Sequence, residues 1–511
     1  MKSLFKTVAL ISFFTFLTRV LGFVFRIILS RVVGAEGLGL YQVASSVFMV
    51  LLTIISSGIP FVISRLNAAF YAEKNSKKAG AFLSVALIFT VVLSIIICLI
   101  VLISKNLFSM LFTDKNCIII LLSLLPSLIF SAVYCVFRGD LWARGNYFAL
   151  CVTELYEQVI RIVISLLAIN ISFSALKNAL NLGWSMSIAC FFSMALVIVL
   201  YFYYGGKLYK PQKAHLKPFV CQSAPITGMR VAGSFVQPLV AMIIPARLMA
   251  IGYTNSQALS LYGVAMGMTM PLLFIPTTII GSLSTALVPE ISTAVAQNNS
   301  QHVERRATFS ISFALAISSL FVPMFMGMGE SLGVFLYDNV LSGSLLQSAS
   351  WVLIPLGLTN VSSSLLNSMG LENKSFFSFL VGSGVMFIAM WFLPALLGIN
   401  ALVVGMGLNY IVVFLMNLRL LKKYAHVNIK LGKLLLKYVA VIIPSGALTA
   451  FMASLCEYVL PTFVVLIVGG IISVGSFISL AMVLNLFDVK GVYVAFKNKI
   501  KIKNHQKSKN I

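Results

Sequence analysis

Long apolar runs organise this chain. Stretches of about 20 or more largely apolar residues recur near 8–30, 42–69, 81–103, 117–137, 148–170, 183–204 and 222–250. They continue near 260–292, 308–329, 347–368, 376–397, 399–419, 434–456 and 462–486, each closed by a short polar or Gly/Pro-marked break. A helix needs about 20 such residues to cross a hydrocarbon core of ~30 Å. Alternating polar and apolar strands, the mark of a membrane barrel, are absent from these runs. The pattern predicts an all-α polytopic membrane protein with fourteen transmembrane helices. The longest breaks between runs, 205–221 and 420–433, leave no room for a soluble domain between spans. The first run follows Lys2 and Lys6, carries Arg19 and Arg26, and lacks a small-residue cleavage site. It reads as the first span rather than a signal peptide.

Composition agrees. Of 511 residues, 60% are hydrophobic and 10% charged, and mean hydropathy is +1.01; a soluble domain is about a quarter charged. Lys and Arg number 37 against 13 Asp and Glu, a formal net charge of +24. Such basicity suits nucleic acid, an anionic membrane surface or an anionic substrate. The positions of the charges choose between them. With the N-terminus inside, 27 basic residues fall in cytoplasmic segments and only Arg31, Lys105, Lys115 and Lys177 outside. That asymmetry alternates loop by loop, as short cytoplasmic loops require. Both termini are therefore expected in the cytoplasm, the lysine-rich tail 488–511 lies beside anionic membrane lipids, and no nucleic acid partner is expected.

An internal repeat is legible. Thr18-Arg19-Val20-Leu21-Gly22 matches Met229-Arg230-Val231-Ala232-Gly233. Gly39-Leu40-Tyr41-Gln42-Val43-Ala44 matches Ser260-Leu261-Tyr262-Gly263-Val264-Ala265, and Ile59-Pro60-Phe61-Val62-Ile63-Ser64 matches Val288-Pro289-Glu290-Ile291-Ser292. The offsets grow from 211 to 221 to 229, as loop insertions produce. Two six-helix lobes in parallel repeat are expected, 1–215 and 216–432, followed by two extra helices in 433–487 and the basic tail. Parallel repeats of this kind mark transporters, with a substrate site at the lobe interface.

Six arginines remain inside spans: Arg19, Arg26, Arg65, Arg161, Arg230 and Arg247, against Glu154, Glu157 and Glu290. A charge at the bilayer centre costs at least ~2.5–3.5 kcal/mol, so each needs a wet cavity or a partner. Arg19 and Arg26 are seven apart, on one helix face and about 10 Å apart along the axis. Two guanidiniums so placed suit a diphosphate, which Arg matches bidentately. Arg230 is the repeat partner of Arg19, Arg65 lies near the inner end of the second span, and Arg247 follows Pro238 and Pro245. These five form the expected substrate-binding set, with snorkelling or helix-end pairing as the plainer roles. Glu154, Glu157 and Arg161 share a face of the fifth span, with Glu157 and Arg161 at the favourable i, i+4 spacing. Structural pairing or ion coupling are their two readings. Glu290, beside Pro289 near the end of its span, is expected to be solvated.

Other chemistry is not signalled. The seven cysteines show no CxxC spacing, and His215, His302, His426 and His505 fall in cytoplasmic segments, so neither a disulfide framework nor a metal site is expected. No GxxxxGK[ST] loop is present, and no cofactor is expected.

Several stretches stand out: Arg19-Val20-Leu21-Gly22-Phe23 with Arg26, Ser30-Arg31 and Gly34-Ala35-Glu36-Gly37-Leu38-Gly39-Leu40-Tyr41; Ser57-Gly58-Ile59-Pro60 with Ile63-Ser64-Arg65; Phe137-Arg138-Gly139; Gly145-Asn146; Glu157-Gln158-Val159-Ile160-Arg161; and Leu366-Asn367-Ser368-Met369-Gly370. Together they resemble the stage V sporulation protein B family, in the polysaccharide-transporter branch of the multidrug/oligosaccharidyl-lipid/polysaccharide flippase superfamily. The opening is also similar to that of lipid II flippases. The resemblance implies a two-lobed exporter that moves an undecaprenyl-diphosphate-linked saccharide, a lipid II-like peptidoglycan precursor, by alternating access for cell-wall or spore-cortex synthesis. It implies cavity arginines on the diphosphate, where Arg19 matches directly and Arg26 is displaced by one position. It also implies a groove at spans 13 and 14 for the prenyl tail, and cell-wall synthesis enzymes as partners. A multidrug/cation antiporter of the same superfamily is the alternative, though it favours acidic cavities. A membrane glycan polymerase needs catalytic carboxylates in a large outer loop, and the short outer loops hold only Glu36, Asp114, Glu330, Asp338 and Glu457.

Overall fold

The computed structural model describes residues 2–297, 299–427, 431–457, 460–484 and 486; the expected tail 488–511 lies outside them. Among the described residues the regular structure is all helix, without strands. The helices run α1 (Lys2–Ser56), α2 (Ile59–Ala72), α3 (Ser76–Ile103), α4 (Lys105–Leu111), α5 (Cys117–Ala143), α6 (Tyr147–Ala168) and α7 (Ala175–Tyr203). There follow α8 (Leu216–Ser234), α9 (Val236–Ala250), α10 (Asn255–Gly263), a π-helical segment (Val264–Thr269), α11 (Met270–Leu273), α12 (Ile275–Ala296) and α13 (Ser300–Tyr337). The series closes with α14 (Val340–Ala349), α15 (Leu353–Ser368), α16 (Glu372–Phe392), α17 (Pro394–Leu397), α18 (Asn400–Ala425), α19 (Leu431–Glu457) and α20 (Thr462–Val483).

Local chemistry sets the starts. The side chains of Asn75, Asn146, Ser174 and Asn339 accept the orphan amides of Lys78, Ala149, Lys177 and Ser342. Thr254 and Gln257 form a reciprocal capping box at the start of α10. Within α1 a single residue leaves helical geometry: Gly34, at φ 74° and ψ 173°. A side chain there would be strained, so glycine divides an otherwise continuous 55-residue helix.

Eleven helical stretches among the described residues are long and apolar enough to cross a membrane, or twelve if the bent pair Asn255–Leu273 and Ile275–Ser282 is one span. The apolar runs predict fourteen, and the difference is local. The first two expected spans share one 60-residue stretch, Phe13–Ala72. The fifth corresponds to α6, whose 22 residues carry Glu154, Glu157 and Arg161. Arg138, expected in a loop, lies inside α5, and Arg144 caps its C-terminus.

By internal packing the chain forms two compact units. One comprises Met1–Pro271 with Phe387–Leu402; the other comprises Leu272–Met386 with the described residues from Val403 onward. Within the first unit α8, α9 and α10 pack on α1. The first unit's core joins Ile59, Val62 and Ile63 of α2, Phe82 and Leu83 of α3, Val136, Phe137 and Leu141 of α5, Val197 and Tyr201 of α7, and Phe219 of α8. In the second unit Met328, Ala453 and Val465 bring α13, α19 and α20 together. Exposed apolar side chains such as Ile96, Leu99, Ile103, Ile467 and Ile471 form outer faces suited to lipid.

Candidate functional site

The first unit gathers the charged groups that the sequence singled out. Arg19 is exposed on α1 and, among the described residues, makes no hydrogen bond or ion pair. One turn on, Gly22 faces α6: a methyl group there would lie 3.3 Å from Gln158 Nε2. Gln158 is buried, and its Oε1 accepts a hydrogen bond from Arg161 Nη2. Arg161 Nη1 donates to Met186 Sδ at 3.4 Å. The Tyr41 phenol lies within electrostatic reach of both Arg161 and Arg26. Arg26 of α1 and Arg161 of α6 thus lie in the neighbourhood of one residue.

Farther along α6 the direct ion pair is Arg138 with Glu154, each a little over one-third exposed. The expected i, i+4 pair of Glu157 with Arg161 is not a direct contact. Arg161 turns to the Gln158 amide, and Glu157 feels the charges of Arg161, Glu154 and Arg138 from a distance. Glu154, Glu157 and Arg161 of α6, with Arg138 of α5, thus form one cluster of two acids and two bases.

Three other predicted arginines are held by the protein. Arg65 Nη2 donates to Gln222 Oε1 at 2.7 Å, joining α2 to α8. Arg230 Nη1 donates to the Ser57 carbonyl at 2.9 Å, just past the end of α1. Both bonds flank Gly58, where a methyl group would meet Thr227 Oγ1 at 2.5 Å and the Ser223 carbonyl at 2.9 Å. Arg247 Nε donates to the Trp391 carbonyl at 2.9 Å, and its guanidinium sits 4.9 Å from that ring's centroid. The glycine-rich stretches matched in the repeat meet as well: α10 crosses α1 where Gly39 and Gly263 let the two backbones touch.

Sequence reasoning assigned no role to one buried acid. Asp140 is fully buried in α5 and accepts from Asn67 Nδ2 at 2.6 Å and Tyr71 OH at 2.8 Å. Arg144 Nε donates to its other oxygen at 2.7 Å, Nη2 donates to the Tyr71 hydroxyl, and Nη1 to the Tyr204 carbonyl. The guanidinium also packs over the Tyr71 and Tyr201 rings, at 4.9 and 5.2 Å. The cluster ties α2, α5 and α7 together, and every oxygen of its carboxylate is used. The i, i+4 spacing of Asp140 and Arg144 was the available signal. In the second unit, Glu290 is not simply solvated: it accepts from His302 Nε2 at 2.9 Å and Arg306 Nε at 2.7 Å, fastening α12 to α13.

No group of three or more metal-ligating side chains occurs among the described residues. The site is cationic, with neutral and acidic residues arranged to hold guanidiniums in place.

Residues 4–295, more than half the chain, match the family described as polysaccharide biosynthesis protein. Stage V sporulation protein B of Bacillus subtilis (strain 168) is 29% identical over 340 residues, 63% of this chain and 64% of that protein. That alignment covers just under two thirds of the relative's length. The lipid II flippase MurJ in an inward closed conformation has a similar fold: TM-score 0.69, 15% identity, covering 93% of this chain and 98% of that one. An inward-facing multidrug resistance MATE family transporter follows at TM-score 0.65 and 18% identity, covering 80% and 96%. This chain is a multi-pass membrane protein that belongs to the polysaccharide biosynthesis protein family.

Proposed function

We propose that this protein is a flippase that moves a polyprenyl-diphosphate-linked saccharide of the lipid II type across the cytoplasmic membrane. The observation that carries this reading is Arg19: an exposed guanidinium within an apolar helix, without a partner among the described residues. A charge in such a place is costly unless an anion or water meets it. The anion that fits is a diphosphate headgroup, because a guanidinium fork matches phosphate oxygens while the prenyl chain stays in lipid. Family membership and the names of the relatives point the same way. A cation antiporter shares the fold, but Arg19, Arg26 and Arg161 favour an anionic cargo.

The architecture is read as fourteen crossings. Dividing Phe13–Ala72 at Gly34 and admitting α6, whose charges have partners or neighbours in the protein, brings the twelve stretches to that number. Two lobes, 1–215 and 216–432, alternate access around the site, with 433–487 beside the prenyl tail and both termini cytoplasmic. With no nucleotide-binding loop in the sequence, the driving force is membrane potential, an ion gradient or consumption of the precursor outside. Cell-wall or spore-cortex synthesis enzymes are the partners that would consume it.

Depletion in the native host tests the reading. Lipid-linked saccharide precursors are expected to accumulate in the inner leaflet, and unchanged precursor levels would contradict it.

A further inference from the structure

We propose that Arg161 is a diphosphate contact alongside Arg19 and Arg26, and that Gln158 and Gly22 are the residues that position it. The inference deepens the flippase reading and rests on it.

Two observations separate this role from plain helix pairing. First, Arg161 is oriented by neutral groups. Its partners are the Gln158 amide oxygen and the Met186 thioether, although Glu157 stands one turn away on the same helix. An amide fixes the guanidinium without neutralising it, and a thioether is a weak acceptor. Of five N–H donors, two are engaged by these groups, which leaves three for a ligand. Second, Arg161 and Arg26 both act on Tyr41. A phenol within reach of both guanidiniums puts Arg26 and Arg161 in one neighbourhood, where an anionic headgroup would meet both.

Gly22 completes the device. Gln158 is 4% exposed and its Nε2 lies against α1, where a side chain at residue 22 would press on it at 3.3 Å. Glycine therefore lets α6 approach α1 closely enough for Gln158 to hold Arg161 beside the Arg19–Arg26 face. The two sequence stretches Arg19–Phe23 and Glu157–Arg161 are thereby halves of one site.

The test uses the full-length protein in detergent, with undecaprenyl diphosphate and undecaprenyl monophosphate as probes and native mass spectrometry as the binding readout. Wild type is expected to prefer the diphosphate. Arg161→Lys keeps the charge but loses the fork, so diphosphate affinity should fall about tenfold, with little change for the monophosphate. Gln158→Leu and Gly22→Ala should shift the preference in the same direction, and unliganded unfolding temperatures should stay near wild type for Arg161→Lys. A role in helix packing alone predicts rescue by lysine. If Arg161→Lys retains the wild-type diphosphate preference, or loses both lipids equally, the inference is overturned. In those cases Arg19→Ala, by losing diphosphate binding, leaves the flippase reading standing. Failure of the wild-type protein to bind undecaprenyl diphosphate overturns both.

Discussion

Gly39 of α1 and Gly263 of α10 meet backbone to backbone: a methyl group on Gly39 would lie 2.0 Å from the Leu259 carbonyl oxygen, and one on Gly263 would lie 2.0 Å from that of Ala35. The two helices can cross at this distance only because both residues lack a side chain. Gly39→Ala must push α10 away from α1. Overpacking of this kind costs typically 1–3 kcal/mol. A lowered unfolding temperature in detergent is the expected result, with Gly263→Ala behaving alike and the double variant costing less than the sum. Wild-type stability in both single variants would contradict the crossing.

Asp140 and Arg144 form the first unit's most enclosed ion pair. Removing the acid with Asp140→Leu leaves a largely buried guanidinium and the Asn67 and Tyr71 donors without their acceptor. Loss of one partner of a buried pair costs about 3–5 kcal/mol. Adding Arg144→Met to that variant should recover part of the loss. Thermal unfolding of the two single variants and the double variant measures this directly, and strictly additive losses would count against the pair.

The arginines divide into two groups. Arg65, Arg230 and Arg247 hold protein acceptors, so their alanine variants should unfold at lower temperature, by roughly 1–3 kcal/mol for a charged hydrogen bond lost. Arg19→Ala should unfold like wild type and lose ligand binding. Thermal unfolding with and without undecaprenyl diphosphate distinguishes the groups; an Arg19→Ala protein that is destabilised yet still stabilised by ligand would reverse the assignment.

His215, ahead of α8, packs against the Phe70 and Phe82 rings, and its buried Nε2 has no hydrogen-bond partner among the described residues. Burial, reinforced by the Lys78 ammonium, holds its pKa below the usual 6.5. The folded state therefore binds its proton less readily than the unfolded chain. The associated stability is present above pH 6.5 and is lost as pH falls below it. His215→Leu should flatten the fall in unfolding temperature between about pH 7 and 5.5, and an unchanged pH profile would exclude His215 as its source.

Much of this was legible in the sequence, for physical reasons. Apolar runs longer than a bilayer's thickness announce helices whatever their partners, so the all-helical membrane fold followed from the pattern. Arg19 was recognisable because an arginine surrounded by apolar residues needs an explanation. Its contrast with Arg65, Arg230 and Arg247 was not, because hydrogen bonds across 157 and 173 residues of sequence leave no local trace. The division of α1 was legible, since the break expected between the runs 8–30 and 42–69 holds Gly34, the residue at which the helix leaves helical geometry. The role of Asp140 was not legible: a lone acid near the end of an apolar run resembles a loop residue until Asn67, Tyr71 and Arg144 are seen around it.

The most direct test of the central claim is leaflet exchange of fluorescent lipid II in proteoliposomes carrying the full-length protein. Wild type should accelerate exchange over protein-free vesicles, and Arg19→Ala should return it to that background while inserting into vesicles normally. Exchange by Arg19→Ala at the wild-type rate would contradict the claim that this guanidinium grips the diphosphate.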